Sequence, residues 1–163
     1  MRIDIWSDIV CPFCYVGKRN LELALAEFEH RDEVEVVWHS FELDPSATEH
    51  PAGSLPEMIA GKYQMPLEQA IASQESLAER AREVGLDFNW RQARYGNTFD
   101  AHRVIHYAAE QGLASAAQEA FKKAYFTQGR SVQDHESILD IASEIGLDTA
   151  EVEAVLKSDR YAA

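Results

Sequence analysis

The chain has 163 residues, 46% of them hydrophobic and 26% charged, which suits one globular domain, or one domain carrying an insertion, with no need of disulfide staples. Its 28 acidic residues against 15 basic ones give a formal charge of −13, which makes nucleic acid and anionic membrane poor partners. No apolar run is long enough to span a bilayer, and Met1-Arg2-Ile3-Asp4-Ile5-Trp6 lacks the layout of a signal peptide, so the expected compartment is the cytoplasm.

Residues 2 to 6 alternate, Ile3 and Ile5 against Arg2 and Asp4, and predict a short strand. Ser7-Asp8-Ile9-Val10 reads as a connection. A helix is predicted from about Pro12 to about His30. Proline suits a first helical turn, where its missing N–H would be unpaired anyway, and Leu21, Ala24, Leu25 and Phe28 recur at helical spacing. Val34, Val36, Val37, Trp38 and Phe41 predict a second, well-buried strand. A strand–helix–strand unit of this length implies a right-handed crossover and parallel strands.

Residues 46 to 56 carry Pro, Gly, Ser and Thr and read as a loop. From about residue 54 the period is helical, with Leu67, Ala70, Ile71, Gln74, Leu77, Ala78, Ala81 and Val84 as one stripe. Three segments share a helix-ending pattern: Glu83-Val84-Gly85-Leu86, Glu110-Gln111-Gly112-Leu113 and Glu144-Ile145-Gly146-Leu147. Asp148 is placed to cap a last helix running to about Ser158. Beyond Phe41 the one strand candidate is a weak one near Phe88.

The two cysteines stand three positions apart in Cys11-Pro12-Phe13-Cys14, after a strand and at the opening of a helix. Free N–H groups and the positive end of the helix dipole stabilise an anion there, and a thiolate is such an anion. Cys11 is therefore expected to be the more exposed, more acidic and attacking sulfur, and Cys14 the buried resolving one. Phe13 offers neither charge nor hydrogen bond, so the middle dipeptide predicts no extreme oxidising power. A structural zinc site needs about four ligands, and this pair supplies two of them. Two unconnected buried cysteines are the other alternative.

The histidines say less. His102 and His106 lie one helical turn apart, a spacing that metals use, but no Glu follows His102 and a third ligand is unspecified; no metal is expected. His39 falls near the end of the second strand, where a proton-relay role competes with simple packing. Phe121, Tyr125 and Phe126 read first as core and second as the lining of a groove.

The run Ser7-Asp8-Ile9-Val10-Cys11-Pro12-Phe13-Cys14-Tyr15-Val16-Gly17 resembles the opening of the DsbA-like family, in its FrnE-like branch. Phe41-Glu42-Leu43-Asp44-Pro45, Asn97-Thr98-Phe99-Asp100-Ala101-His102-Arg103 and Ala124-Tyr125-Phe126-Thr127-Gln128-Gly129 are similar to later family stretches. The resemblance implies an α/β thioredoxin-like fold. Its N-terminal β-α-β part would span 1–45 and a large all-helical insertion 46–163. It implies Cys11 and Cys14 as the redox pair, with Pro12, Phe13 and Asp8 in support. It implies His39, Asn97, His102 and Tyr125 as candidates for a substrate groove. No cofactor is implied beyond the disulfide itself, with glutathione as a candidate co-substrate.

The family's fold also implies a cis-proline loop and closing strands after the helical block, whereas prolines here stand at 12, 45, 51, 56 and 66 and the chain stops at Ala163. The expectation is a chain shortened by engineering, proteolysis or nature. Its sheet edge would be left open or completed by another chain, as in a homodimer. The first functional expectation is thiol–disulfide oxidoreduction of protein or low-molecular-weight thiols. The rivals are a glutathione-dependent isomerase resembling 2-hydroxychromene-2-carboxylate isomerase, which typically lacks the second cysteine, and a non-catalytic redox sensor.

Overall fold

A computed structural model describes residues 1–48 and 51–162. Glu49 and His50, part of the predicted loop, lie outside the described residues, as does Ala163. The alternating N-terminus forms β1 (Arg2–Ser7), which runs into α1 (Pro12–Glu27) and, through a turn of 3-10 helix at Arg31–Glu33, into β2 (Glu35–Ser40). The strands pair in parallel, from Arg2 opposite Glu35 to Ser7 opposite Ser40, as the crossover length predicts.

Two predicted details change. Helix α1 ends at Glu27, short of His30, where Phe28 turns extended and its N–H bonds back to the Leu25 carbonyl. Strand β2 is half-buried and not fully buried: after exposed Glu35, each of its residues keeps some solvent contact. Two strands make too small a layer to cover both of their faces. On β1, Arg2, Asp4 and Trp6 stay exposed while Ile3, Ile5 and Ser7 turn inward.

The helical block consists of α2 (Leu55–Tyr63), α3 (Leu67–Glu83), α4 (Phe99–Glu110), α5 (Ala114–Phe126), α6 (His135–Glu144) and α7 (Thr149–Leu156). Ser54 caps α2 in a reciprocal box with Glu57, and the Asp148 carboxylate accepts the N–H groups of Ala150 and Glu151 to cap α7. At the three shared helix ends, Gly85, Gly112 and Gly146 take φ of 77°, 73° and 83°. The leucines that follow bond back to Ala81, Ala108 and Ala142 at 2.9, 2.8 and 3.1 Å.

The buried cluster is mainly helical, with Val104, Phe121, Ile138, Ile141 and Val152 fully enclosed, and it takes in Ile9 and Tyr15 from the N-terminal unit. Phe88 belongs to no strand. Its ring stacks on Phe126 at 4.5 Å and on Tyr15 at 5.9 Å, so its hydrophobicity serves helix-to-helix packing. Glu119 of α5 fixes α1 alongside it, accepting from Tyr15 Oη at 2.8 Å, Lys18 Nζ at 2.6 Å and Arg19 at 2.8 Å. That clamp sets the place of the N-terminus of α1.

Candidate active site

Cys11 is the N-cap of α1, with extended backbone, and Pro12 occupies the first turn. The Cys14 N–H donates to Cys11 Sγ at 3.3 Å, so the sulfur takes the place that a serine or aspartate oxygen fills in an ordinary cap. Both thiols are free.

The expected exposures are reversed: Cys11 is buried and Cys14 half-buried. The connection before them is buried as well, at Ser7, Asp8 and Ile9. The two thiols are also electrostatically coupled through the bond between them. The Cys11 thiol, its hydrogen bond to Cys14, holds the Cys14 thiol down to about 5 despite burial, helped by the Asp8 N–H, the Ser7 hydroxyl and the Lys122 cation. That same bond, with burial and the charge on Cys14, pushes Cys11 upward. The pair thus ionises once with ease and resists a second ionisation. Phe13, between them, is 60% exposed, with the Arg80 guanidinium 5.9 Å from its ring centre.

Asp8 is the hub beneath this motif. Its Oδ1 accepts from the Ile9 N–H at 2.7 Å, Thr98 Oγ1 at 2.9 Å and His102 Nε2 at 3.1 Å, and its Oδ2 accepts from the Leu43 N–H at 2.7 Å. One carboxylate therefore ties the connection before Cys11 to α4 and to the segment after β2. Burial pushes its pKa up, but these hydrogen bonds outweigh it and the net shift is downward.

The other candidates are spread out. His102 is buried against Asp8, whereas His106 turns to Ser40 Oγ at 3.0 Å, so the two histidines serve different partners. His39 stacks on Trp6 at 4.5 Å and bonds Asp4 at 2.7 Å, on the open side of the sheet. Asn97 braces a loop: its Oδ1 accepts from the Phe99 N–H at 2.8 Å and its Nδ2 donates to the Ala47 carbonyl at 3.2 Å. Tyr125 is fully buried, edge-on to Phe126 at 4.8 Å.

Sequence reasoning missed Lys122 and Ser7. Lys122 Nζ is completely buried and donates to Ser7 Oγ at 3.0 Å and to the Asp8 carbonyl at 2.6 Å. A signal was available: Gln118 and Lys122 lie one turn apart on the arc of α5 that also carries Ala117, Phe121, Ala124 and Tyr125, so a charged side chain sits on the apolar face.

Comparison with known proteins identifies the family. The family model of the DSBA-like thioredoxin domain matches residues 2–163. A probable DsbA oxidoreductase of Streptomyces coelicolor superposes with a TM-score of 0.94 at 46% identity, over 99% of this chain and 70% of that one. YwbO of Bacillus subtilis (strain 168) is 29% identical over 162 residues, 99% of this chain and 74% of its own. The cytosolic disulfide reductase DsbM of Pseudomonas aeruginosa, solved with GSH, shares the fold with a TM-score of 0.62 at 19% identity, over 96% of this chain and 71% of that one. A 2-hydroxychromene-2-carboxylate isomerase does so with a TM-score of 0.66 at 17% identity, over 98% and 72%. With its thioredoxin fold, reduced sheet and helical block, this chain belongs to the DSBA-like thioredoxin domain family.

Proposed function

We propose that Cys11 and Cys14 form a dithiol/disulfide centre that exchanges electrons with protein or low-molecular-weight thiols, glutathione among them. The observation that carries this reading is the sulfur cap: one thiol sits at the N-terminus of α1, receives the N–H of the other at 3.3 Å, and shares a single negative charge with it. In the reducing direction, the thiolate of the pair attacks one sulfur of a substrate disulfide and expels the other as a thiolate, leaving a mixed disulfide. The second cysteine then attacks its neighbour's sulfur, releases the remaining substrate thiol and closes the internal disulfide. Two electrons pass to the substrate. In the oxidising direction the same steps run backward. The cytoplasm is the compartment that this reading takes, where a lone Cys-x-x-Cys serves redox chemistry more readily than structure.

The test is equilibration of the chain in glutathione buffers, acid trapping of free thiols and mass determination. A reversible internal disulfide, with Cys14→Ser and Cys11→Ser each halting at a mixed disulfide with glutathione, is the expected result. Absence of any internal disulfide would overturn it. Turnover that survives Cys14→Ser would transfer the assignment to a glutathione-dependent isomerase with a single nucleophile.

A further inference from the structure

We infer that Lys122 is a positioning residue for the cysteine pair: its ammonium holds the Ser7–Asp8 segment against the start of α1 and steadies negative charge on the two sulfurs. The inference rests on the dithiol reading above and deepens it.

A fully buried lysine ammonium ordinarily has an anion bonded to it, because desolvation of an unpaired charge is costly. Among the described residues, Lys122 bonds to uncharged groups, the Ser7 hydroxyl at 3.0 Å and the Asp8 carbonyl at 2.6 Å. Both groups belong to the short connection that delivers Cys11 to its cap position. The ionisable groups that act on the ammonium are Cys14 of α1, Cys11 at its N-cap and Asp8 of the connection, which favour its charge, and Lys18 of α1, which opposes it. Burial, the largest influence, brings Lys122 down to about 8. The Asp8 carboxylate is already engaged by His102, Thr98 and two backbone N–H groups. The thiolate is the anion left to balance the cation, and Ser7, whose hydroxyl accepts from Lys122, also favours charge on Cys14.

The consequence is redox-linked. The reduced pair holds one thiolate and one thiol. Its oxidation releases two electrons and one proton and forms the S–S bond; glutathione disulfide takes both electrons, with that proton and one from water, and becomes two glutathione molecules. The negative charge disappears in that step, so the ammonium loses its counter-ion. By linkage, the cation that stabilises the thiolate favours the dithiol, and the thiolate favours the ammonium to the same degree.

The experiment uses the full chain as wild type, Lys122→Met and Lys122→Arg. The thiolate is followed by its ultraviolet absorbance against pH, and the disulfide by its equilibrium with glutathione. For Lys122→Met the thiolate midpoint should rise by about one pH unit, and the equilibrium should move about tenfold toward the disulfide, equivalent to about 30 mV for a two-electron couple. Lys122→Arg, which keeps the charge, should stay closer to wild type on both. A folded Lys122→Met with both readouts unchanged would overturn the inference. Should that variant not fold, nitrogen NMR of labelled lysine in the wild-type chain decides: Lys122 should titrate at lower pH in the disulfide form than in the dithiol form, and equal midpoints would overturn it. A chain that forms no disulfide while Lys122→Met still raises the thiolate midpoint would refute the oxidoreductase reading and leave this role of Lys122 standing.

Discussion

The Asp8 carboxylate and the His102 imidazole meet in the interior with Oδ1 and Nε2 3.1 Å apart, and their contact fastens the connection before Cys11 to the first turn of α4. Because Thr98 and the Leu43 N–H bond the same carboxylate, three chain segments share one anchor. Replacing Asp8 by Asn keeps the size but removes the charge and turns a donor toward groups that already donate. Asp8→Asn should cost about 3 kcal/mol of folding stability, read from urea unfolding, since breaking a buried charged network leaves its partners unpaired. A loss under about 1 kcal/mol would mean that the connection is held by other means.

The same anchor predicts acid sensitivity. Its hydrogen bonds hold the Asp8 pKa below that of an unfolded aspartate. Such a group contributes its full stability above the unfolded value of about 4, and the contribution drains away as pH falls through the folded value. The urea midpoint should therefore drop as pH is lowered from about 5 to about 2, and drop less steeply in Asp8→Asn. Parallel profiles for the two proteins would refute the assignment.

The coupling of the two thiols predicts the behaviour of a single-cysteine variant. The Cys11 side chain is the main influence that holds Cys14 at about 5. In Cys11→Ala that support is gone, so the Cys14 thiolate should form at a midpoint roughly one pH unit higher or more, toward the ordinary cysteine range. Alkylation rate against pH, with the modified site identified by mass, measures this. An unchanged midpoint would show that the helix terminus and Lys122 suffice without the second sulfur.

Gly129 and Gly85 both have positive φ, 63° and 77°, but differ in their surroundings. A Cβ on Gly85 would meet nothing within 4 Å, whereas one on Gly129 would lie 2.9 Å from Gln92 Cβ and 3.0 Å from the Gln92 carbonyl oxygen. Gly85→Ala should cost about 1 kcal/mol, for the backbone conformation alone. Gly129→Ala should cost about 3 kcal/mol, because a backbone atom must also move. Thermal melts of the two variants provide the comparison, and equal losses would contradict it.

Arg103 is the fastening of the C-terminal turn. Its buried guanidinium bonds the Arg160 carbonyl at 2.9 Å, Asp100 at 2.7 Å, and the carbonyls of Val155 and Ser158. Lysine cannot reproduce that fork. Arg103→Lys should lose about 2 kcal/mol and raise hydrogen exchange across residues 155 to 160 more than in α5. Uniform exchange along the chain would argue that the fork adds little.

Local chemistry made much of the fold legible. The alternation of Ile3 and Ile5, the proline after Cys11, the Gly-Leu helix ends and the Asp148 cap each act within a few residues, so β1, the start of α1, those three helix ends and the start of α7 follow from sequence neighbours alone. The same reasoning placed a thiol at a helix N-terminus. It assigned the exposure of the two sulfurs the other way round, because exposure depends on how the motif packs in the tertiary structure, where Ser7, Asp8 and Ile9 are themselves buried.

By itself, then, the sequence determined the strand–helix–strand opening, the helical character of the remainder and the Cys-x-x-Cys cap. Tertiary structure alone decided that Lys122 lies against Ser7, 115 positions away, and that His102 lies against Asp8, 94 positions away. Such pairs leave no periodic trace, since a buried polar residue on a helix shows only that some partner is required. The packing of α4 and α5 against the end of β1 selects which one.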